Sequence, residues 1–269
     1  MNVLSLFDGI SCARIALERA EIPVLNYLAY EVDKFAIKCS QDNWEGITRL
    51  GDIKNAEIDV FTYPKIDLLI AGFPCQSFSF AGKQLNFEDE RGKLFFDALR
   101  IKNEVKPKYF IFENVRMKKE IQDEISRLLG VEPILINSSL VSAQNRKRLY
   151  WTNIPGVEQP KNEFILLKDI LENGQSLTDK SQTILSTIYK ENVKSMLKRK
   201  KVGLLVQNGK SYWKTFRKLT PLECERLQTV PIGYTSCLSN TQRYKTLGNG
   251  FTVSVISHIL KQIKGENKK

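Results

Sequence analysis

Histidine is almost missing from this chain: its 269 residues hold one, His258, set in an apolar helical pattern near the C-terminus. Triads and metal centres that rest on imidazole are thereby nearly excluded, and His258 reads as a packed or surface residue. Cysteine is sparse and unpatterned. The five present (Cys12, Cys39, Cys75, Cys224 and Cys237) are odd in number and never stand in a Cys-x-x-Cys spacing, so neither a disulfide framework nor a zinc knuckle is expected. Long apolar runs are absent too; the longest, near residues 66–73, is far too short to cross a bilayer. The N-terminus lacks a basic segment ahead of an apolar stretch and soon turns acidic, unlike a signal peptide. Such a chain is expected to stay in the compartment where it is made. Neither Gly-x-Gly-x-x-Gly nor Gly-x-x-x-x-Gly-Lys-Ser/Thr occurs, which leaves a pyrophosphate or a triphosphate poorly provided for.

The residues that are present describe a globular chain long enough for one large α/β domain and a modest second lobe. A formal charge of +11 favours a polyanionic partner, although a lysine-rich surface drawn from an AT-rich genome gives the same sum. Short β-type runs at 3–7, 25–30, 66–71, 109–112, 134–136 and 149–152 alternate with helical patterns at 12–20, 34–42, 93–105 and 119–129. That alternation predicts a parallel-rich, doubly wound sheet over residues 1–154. From Pro155 to Phe216 the chain is polar, uneven and rich in lysine, the mark of a small second lobe at 155–216. Residues 217–269 then return to the first domain. Thr220-Pro221-Leu222-Glu223 opens a helix with a capping box and a proline at the first helical position, and the final helix covers about 253–263.

Ligands of open α/β sheets gather at the carboxyl ends of the strands, and the unusual residues fall there one strand after another. Phe7-Asp8-Gly9 follows the first strand, Glu31 ends the second and Asp52 follows a third. Gly72-Phe73-Pro74-Cys75 and Glu113-Asn114-Val115 come next. Gly9 permits a tight turn against a ligand, Glu31 is placed for ribose hydroxyls, and Asp52 can accept from an adenine amino group. This is an adenosine pocket without phosphate provision, which suits S-adenosylmethionine. A cysteine after a strand is more often a small buried hydrophobe than a nucleophile. Cys75, however, stands in a loop between Pro74 and the polar Gln76 and Ser77, where a substrate can reach it.

Gly72-Phe73-Pro74-Cys75-Gln76 resembles the signature loop of the DNA cytosine-5 methyltransferases. The likeness continues through Phe87-Glu88-Asp89-Glu90-Arg91-Gly92 and Leu94-Phe95-Phe96. Other blocks follow in the family's order. Phe7-Asp8-Gly9 is similar to its cofactor motif, Glu113-Asn114-Val115 to its glutamate motif, and Gln144-Asn145-Arg146-Lys147-Arg148 to Gln-x-Arg-x-Arg. Arg217 through Gln228 resembles the block that supports the recognition region, and Gly248-Asn249-Gly250 with Val253 the last motif. All but about residues 155–215 is covered. Ser11 stands where many members have a second glycine, and Ser254 where Val-Pro-Val is common. The stretch between Arg148 and Arg217 is short, like the recognition regions of the de novo vertebrate enzymes and of some phage enzymes.

The resemblance implies a Rossmann-like α/β fold, no metal, and S-adenosylmethionine as methyl donor, released as S-adenosylhomocysteine. It implies Cys75 as nucleophile, Glu113 as the group that stabilises N3 and accepts from the N4 amino group, Arg146 at the O2 edge, and Arg148 bracing the site or contacting phosphate. The cofactor is expected against Phe7, Asp8, Gly9, Ile10, Glu31, Val32, Asp52, Ile53, Phe73, Pro74, Leu94, Asn249, Gly250 and Thr252. DNA contacts are expected from Gln76, Ser77, Arg91 and Gln144. The basic run at 194–201, with Lys198, Arg199, Lys200 and Lys201, either serves phosphates or is a solvated helical face. Double-stranded DNA, no membrane, a monomer, and a cytoplasmic prokaryotic or phage-encoded protein complete the expectation. Two alternatives stand beside it. An RNA-modifying relative typically carries a Cys-Phe-Thr element, which is absent, and a catalytically silent relative usually loses Pro-Cys or Glu-Asn-Val, both of which are kept.

Overall fold

Alternate residues along the central strands point to opposite sides, so one sheet builds two cores. In the computed structural model, which describes residues 1–57, 64–74, 90–209 and 215–266, seven strands form this sheet. They are β1 (Asn2–Leu6), β2 (Asn26–Tyr30), β3 (Ile47–Gly51), β4 (Leu68–Gly72), β5 (Tyr109–Val115), β6 (Pro133–Asn137) and β7 (Lys147–Thr152), in the order β3-β2-β1-β4-β5-β7-β6. Val3, Leu68, Ile70, Tyr109 and Ile111 enter one core, shared with α1 (Cys12–Arg19), α2 (Lys34–Asn43) and α8 (Val253–Glu266). Leu4, Leu69, Ala71, Phe110 and Phe112 enter the other, beneath α3 (Glu90–Val105) and α4 (Lys119–Leu129). Along α8 the buried Val253, Ile256, Leu260 and Ile263 recur at three- and four-residue spacing, the stripe a helix needs to lie on a sheet.

The doubly wound α/β sheet is as the sequence predicts, with one reversal. β2, β3, β4 and β5 extend the sheet from β1 in parallel, but β7 runs antiparallel to both β5 and β6. The reversal turns the start of β7, rather than its end, toward the rim where β1, β4 and β5 finish.

Between residues 155 and 218 lie the short helix α5 (Val193–Lys198) and a three-stranded antiparallel sheet of β8 (Gln175–Ser176), β9 (Leu205–Gln207) and β10 (Phe216–Lys218). Its apolar residues Ile184, Met196, Leu205 and Val206 join the core on the α8 side of the large sheet. α6 (Pro221–Gln228) opens with the expected box: Glu223 N donates to Thr220 Oγ1 at 3.1 Å and Thr220 N to Glu223 Oε2 at 2.8 Å. α7 (Asn240–Asn249) was not foreseen, because its mostly polar sequence carries no apolar stripe. No helix among the described residues is long and apolar enough to cross a membrane.

Candidate active site

β1 and β4 are neighbours from which the sheet grows in opposite directions, so a crevice opens beyond their carboxyl ends. The loop leaving β1 is unusual in its backbone: Phe7, Gly9 and Ser11 all have φ of 58°. Glu31, just past β2, organises it. Its Oε2 accepts from Gly9 N at 2.7 Å, and its Oε1 from Val32 N at 2.8 Å and Asp33 N at 2.7 Å. Ser11 takes the left-handed geometry that glycine adopts freely, and its hydroxyl is bonded to Asp8 and Ser40. Asp8 points inward, accepting from Tyr27 Oη at 2.7 Å and from Arg49 Nη1 at 3.2 Å.

The groups left at this crevice suit a nucleoside. A Cβ at Gly9 would meet nothing within 4 Å, so ligand atoms can approach its backbone. Val32 offers an apolar surface that is 66% exposed, and the Glu31 carboxylate beside it retains lone pairs for ribose hydroxyls. An adenosine moiety fits this combination.

The second wall comes from β4 and β5, which pair so that Gly72 lies opposite Glu113. Glu113 is 9% exposed, and Arg148 Nε stands 3.0 Å from its Oε1. Gly72 is closely covered: a Cβ there would lie 2.6 Å from Phe251 Cε1 and 3.7 Å from Glu113 Oε2. Asn114 Nδ2 donates to the Phe73 carbonyl at 3.1 Å and so holds the chain that leads to Pro74. Arg146 is 4% exposed, with Nη1 donating to Ile184 O at 3.3 Å and Nη2 to Gly250 O at 3.0 Å and Gly248 O at 3.4 Å. It ties the 155–218 region to the segment before α8. The reversed β7 brings Arg146 and Arg148 to the same rim as Glu113.

A family model described as C-5 cytosine-specific DNA methylase matches residues 1–198 and 144–265. The chain belongs to this family. Among curated relatives, it is 31% identical to the Type II methyltransferase M.NlaX of Neisseria lactamica, over 98% of this chain and 96% of that protein. It is also 31% identical to the Type II methyltransferase M1.ScrFI of Lactococcus lactis subsp. cremoris, over 97% of this chain and 77% of that protein. Among solved structures, the Entamoeba histolytica methyltransferase EhMeth superposes with a TM-score of 0.78 at 17% identity, covering 100% of this chain and 99% of that one. A Spodoptera frugiperda DNMT2 variant gives 0.73 at 18% identity, covering 98% and 99%. At such identities these two show the fold alone. Methylases of this family use S-adenosylmethionine.

The structure of this methylase sorts the expected site residues. Gly9, Glu31 and Val32 stand together just past β1 and β2, Pro74, Leu94 and Gly250 are half-buried, and Asn249 is exposed. The side chains of Ile10, Ile53, Phe73 and Thr252 turn into the protein, which confines their contribution at the crevice to backbone. Phe73 packs its ring, tilted by 50°, 5.2 Å from that of Phe95, and Thr252 Oγ1 donates to Gln228 Oε1 at 3.0 Å. Asp52 spends an oxygen on Lys54 N at 3.0 Å, capping a single turn. Gln144, expected on DNA, is fully buried instead. Its amide is needed inside, where Oε1 accepts from Ile184 N at 2.9 Å and Nε2 donates to Gln228 Oε1 at 3.3 Å. In the basic run Lys198, Arg199 and Lys200 are exposed, whereas Lys201 Nζ is bonded to Glu191 at 2.5 Å. Cys75, Gln76 and Ser77 lie outside the described residues, as does the Arg91 side chain.

Residues that sequence reasoning missed form the supports. Arg49, Ser40 and Tyr27 stand behind Asp8, Gln228 braces Gly250 with an Nε2 bond of 3.0 Å, and Phe251 covers Gly72. No spacing rule joins them, since each reaches its partner through the fold. The described cysteines, Cys12, Cys39, Cys224 and Cys237, are free. Burial raises the Cys12 thiol to about 12, which makes it a packing group. No cluster of three or more metal-ligating side chains occurs among the described residues.

Proposed function

We propose that this methylase transfers a methyl group from S-adenosylmethionine to C5 of a cytosine flipped out of double-stranded DNA, with Cys75 as nucleophile. The observation that carries this reading is the shared rim. The Gly9–Glu31 crevice follows β1 and β2 and the Glu113–Arg148 pair lies on β5 and β7, with β4 between them and Gly72, three residues before Cys75, directly opposite Glu113.

Cytosine C5 is a poor nucleophile until a thiolate adds at C6 and makes the ring an enamine, which is covalent catalysis by Cys75. S-adenosylmethionine, when bound, supplies an electrophilic sulfonium methyl and leaves as S-adenosylhomocysteine. Glu113 accepts from the N4 amino group and shares a proton at N3, held in place by Arg148. Arg146 presents its guanidinium edge toward O2 from a carbonyl cradle that fixes its plane. Loss of the C5 proton and departure of Cys75 complete the cycle. Addition at C6 and methyl transfer to C5 both need the faces of the ring, which a stacked base hides between its neighbours, so extrusion is required. The enzyme acts as a monomer in the cytoplasm of a prokaryotic or phage-infected cell.

Tritiated S-adenosylmethionine offered with duplex DNA, single-stranded DNA and tRNA tests the substrate; label should enter the duplex, and label in tRNA alone would reverse the choice of polymer. Cys75→Ser should abolish transfer while DNA binding persists, because a hydroxyl is a far weaker nucleophile at neutral pH. Wild type should form a denaturant-resistant adduct with duplex carrying 5-fluorocytosine, since fluorine blocks the last elimination. Substantial turnover by Cys75→Ser would overturn the covalent route.

A further inference from the structure

The C-terminal segment grips the β1 loop from behind. Tyr234, 5% exposed, donates its hydroxyl to the Ile10 carbonyl at 2.7 Å, and the same oxygen accepts from Trp44 Nε1 at 2.9 Å. The residue is itself held from both sides. Glu225, fully buried on α6, accepts from Gly233 N at 2.7 Å, Thr235 N at 2.9 Å and Arg243 Nη2 at 3.0 Å. The Tyr234 carbonyl accepts from Asn43 Nδ2 at 2.9 Å. Burial raises the phenol above its ordinary value, so the hydroxyl keeps the proton it donates.

Phe7 and Ser11 hold a left-handed backbone on either side of Gly9, a geometry that persists for non-glycine residues only where the surroundings over-determine it. Ile10 lies inside that loop, and its carbonyl is bonded by a group 224 positions away in the chain.

We propose that Tyr234 is a positioning residue for the cofactor: its hydroxyl holds the 7–11 loop in the strained form that aims Gly9 and Glu31 at the nucleoside. The inference rests on the reading of that crevice as the S-adenosylmethionine site. Without the hydroxyl the Ile10 carbonyl loses a buried donor and the loop gains freedom to relax. Cofactor then binds a competent form that is a fraction of the population, and affinity falls by that fraction.

The test compares Tyr234→Phe, which keeps the ring, with Trp44→Phe, which removes the other partner of the same hydroxyl but leaves the Ile10 bond. Calorimetric titration with S-adenosylhomocysteine should show roughly three- to thirty-fold weaker binding for Tyr234→Phe, the range a lost buried hydrogen bond spans. Binding by Trp44→Phe should match wild type even if its melting temperature drops. Affinity for duplex DNA should stay level in both. Equal weakening in the two variants would reduce Tyr234 to general stability and overturn the proposal, as would unchanged affinity in Tyr234→Phe. Failure of wild type to bind S-adenosylhomocysteine would instead overturn the cofactor reading itself. Should Tyr234→Phe not fold, hydrogen exchange of ligand-free wild type decides. The amides of Gly9 and Ser11 should be protected before ligand is added, and rapid exchange there would overturn a preset loop.

Discussion

At Glu31 one carboxylate accepts three backbone N–H groups, from Gly9, Val32 and Asp33, before any ligand arrives. Its role is therefore double: it shapes the crevice and presents charge to it. Glu31→Ala should weaken S-adenosylhomocysteine binding by tenfold or more, since charge-assisted hydrogen bonds contribute about 1.5–3 kcal/mol. DNA affinity should hold, and calorimetry on each ligand separately checks both. Unchanged cofactor affinity would place the adenosine elsewhere. The positions of Glu31 and Glu113 at the ends of apolar strands were legible in the sequence, because carboxylates there interrupt an apolar run. Asp8, expected against the cofactor, turns its carboxylate inward. Its partners Tyr27 and Arg49 sit on β2 and β3, and nothing in linear spacing brings three parallel strands into register. Gln144 misled for a related reason. Its motif matches a family block, but a block does not say which of its side chains face inward.

Elements were more readable than their directions. The strands and helices of the first 154 residues fall within a few positions of the expected bounds, because apolar alternation and apolar stripes are local signals. The reversal of β7 depends on how the 138–146 connection folds back, and long-range bonds such as Arg146 to Gly250 hold that connection in its folded form. α7 escaped notice because it buries little more than Thr246, Leu247 and Gly248. Of these Gly248 is the most constrained: a Cβ would lie 2.3 Å from Ser186 N and 2.4 Å from Leu185 C, both backbone. Gly248→Ala must push α7 away from the 185–186 chain, and overpacking of this kind costs about 1–3 kcal/mol. The melting temperature should fall by several degrees in differential scanning calorimetry, at roughly 2–4 °C per kcal/mol for a chain of this size. Methylation should fall further than stability does, since Gly248 and Gly250 carbonyls seat Arg146. Gly72→Ala is the contrast. Its clash is with the far edge of the Phe251 ring, which can swing aside, so the thermal loss should be smaller. A Gly248→Ala protein that melts with wild type would mean that α7 and the 185–186 chain can part without cost.

Across the whole molecule the surplus of +11 charges is a statement about partners rather than fold. The run at 194–201 is where it is most concentrated in sequence, and the structure divides that run. Lys201 is bonded to Glu191 and Arg199 lies 3.8 Å from the same carboxylate while 65% exposed; Lys198 and Lys200 are exposed. Lys198, Arg199 and Lys200 are thus the three to replace together with alanine, while Lys201 stays to hold Glu191. If the three face phosphates, affinity should drop on every duplex alike. The slope of log affinity against log salt should also flatten by roughly 0.9 for each phosphate no longer neutralised, because every neutralised phosphate releases condensed counterions. Titrations between low and moderate salt measure this directly. The methylated motif, mapped by bisulfite sequencing of DNA from expressing cells, should not change, since phosphate contacts fix register without reading bases. A solvated face gives a different result: a slight loss of affinity through net charge and a slope that barely moves. A changed motif would contradict both and put this run in a groove, against base edges.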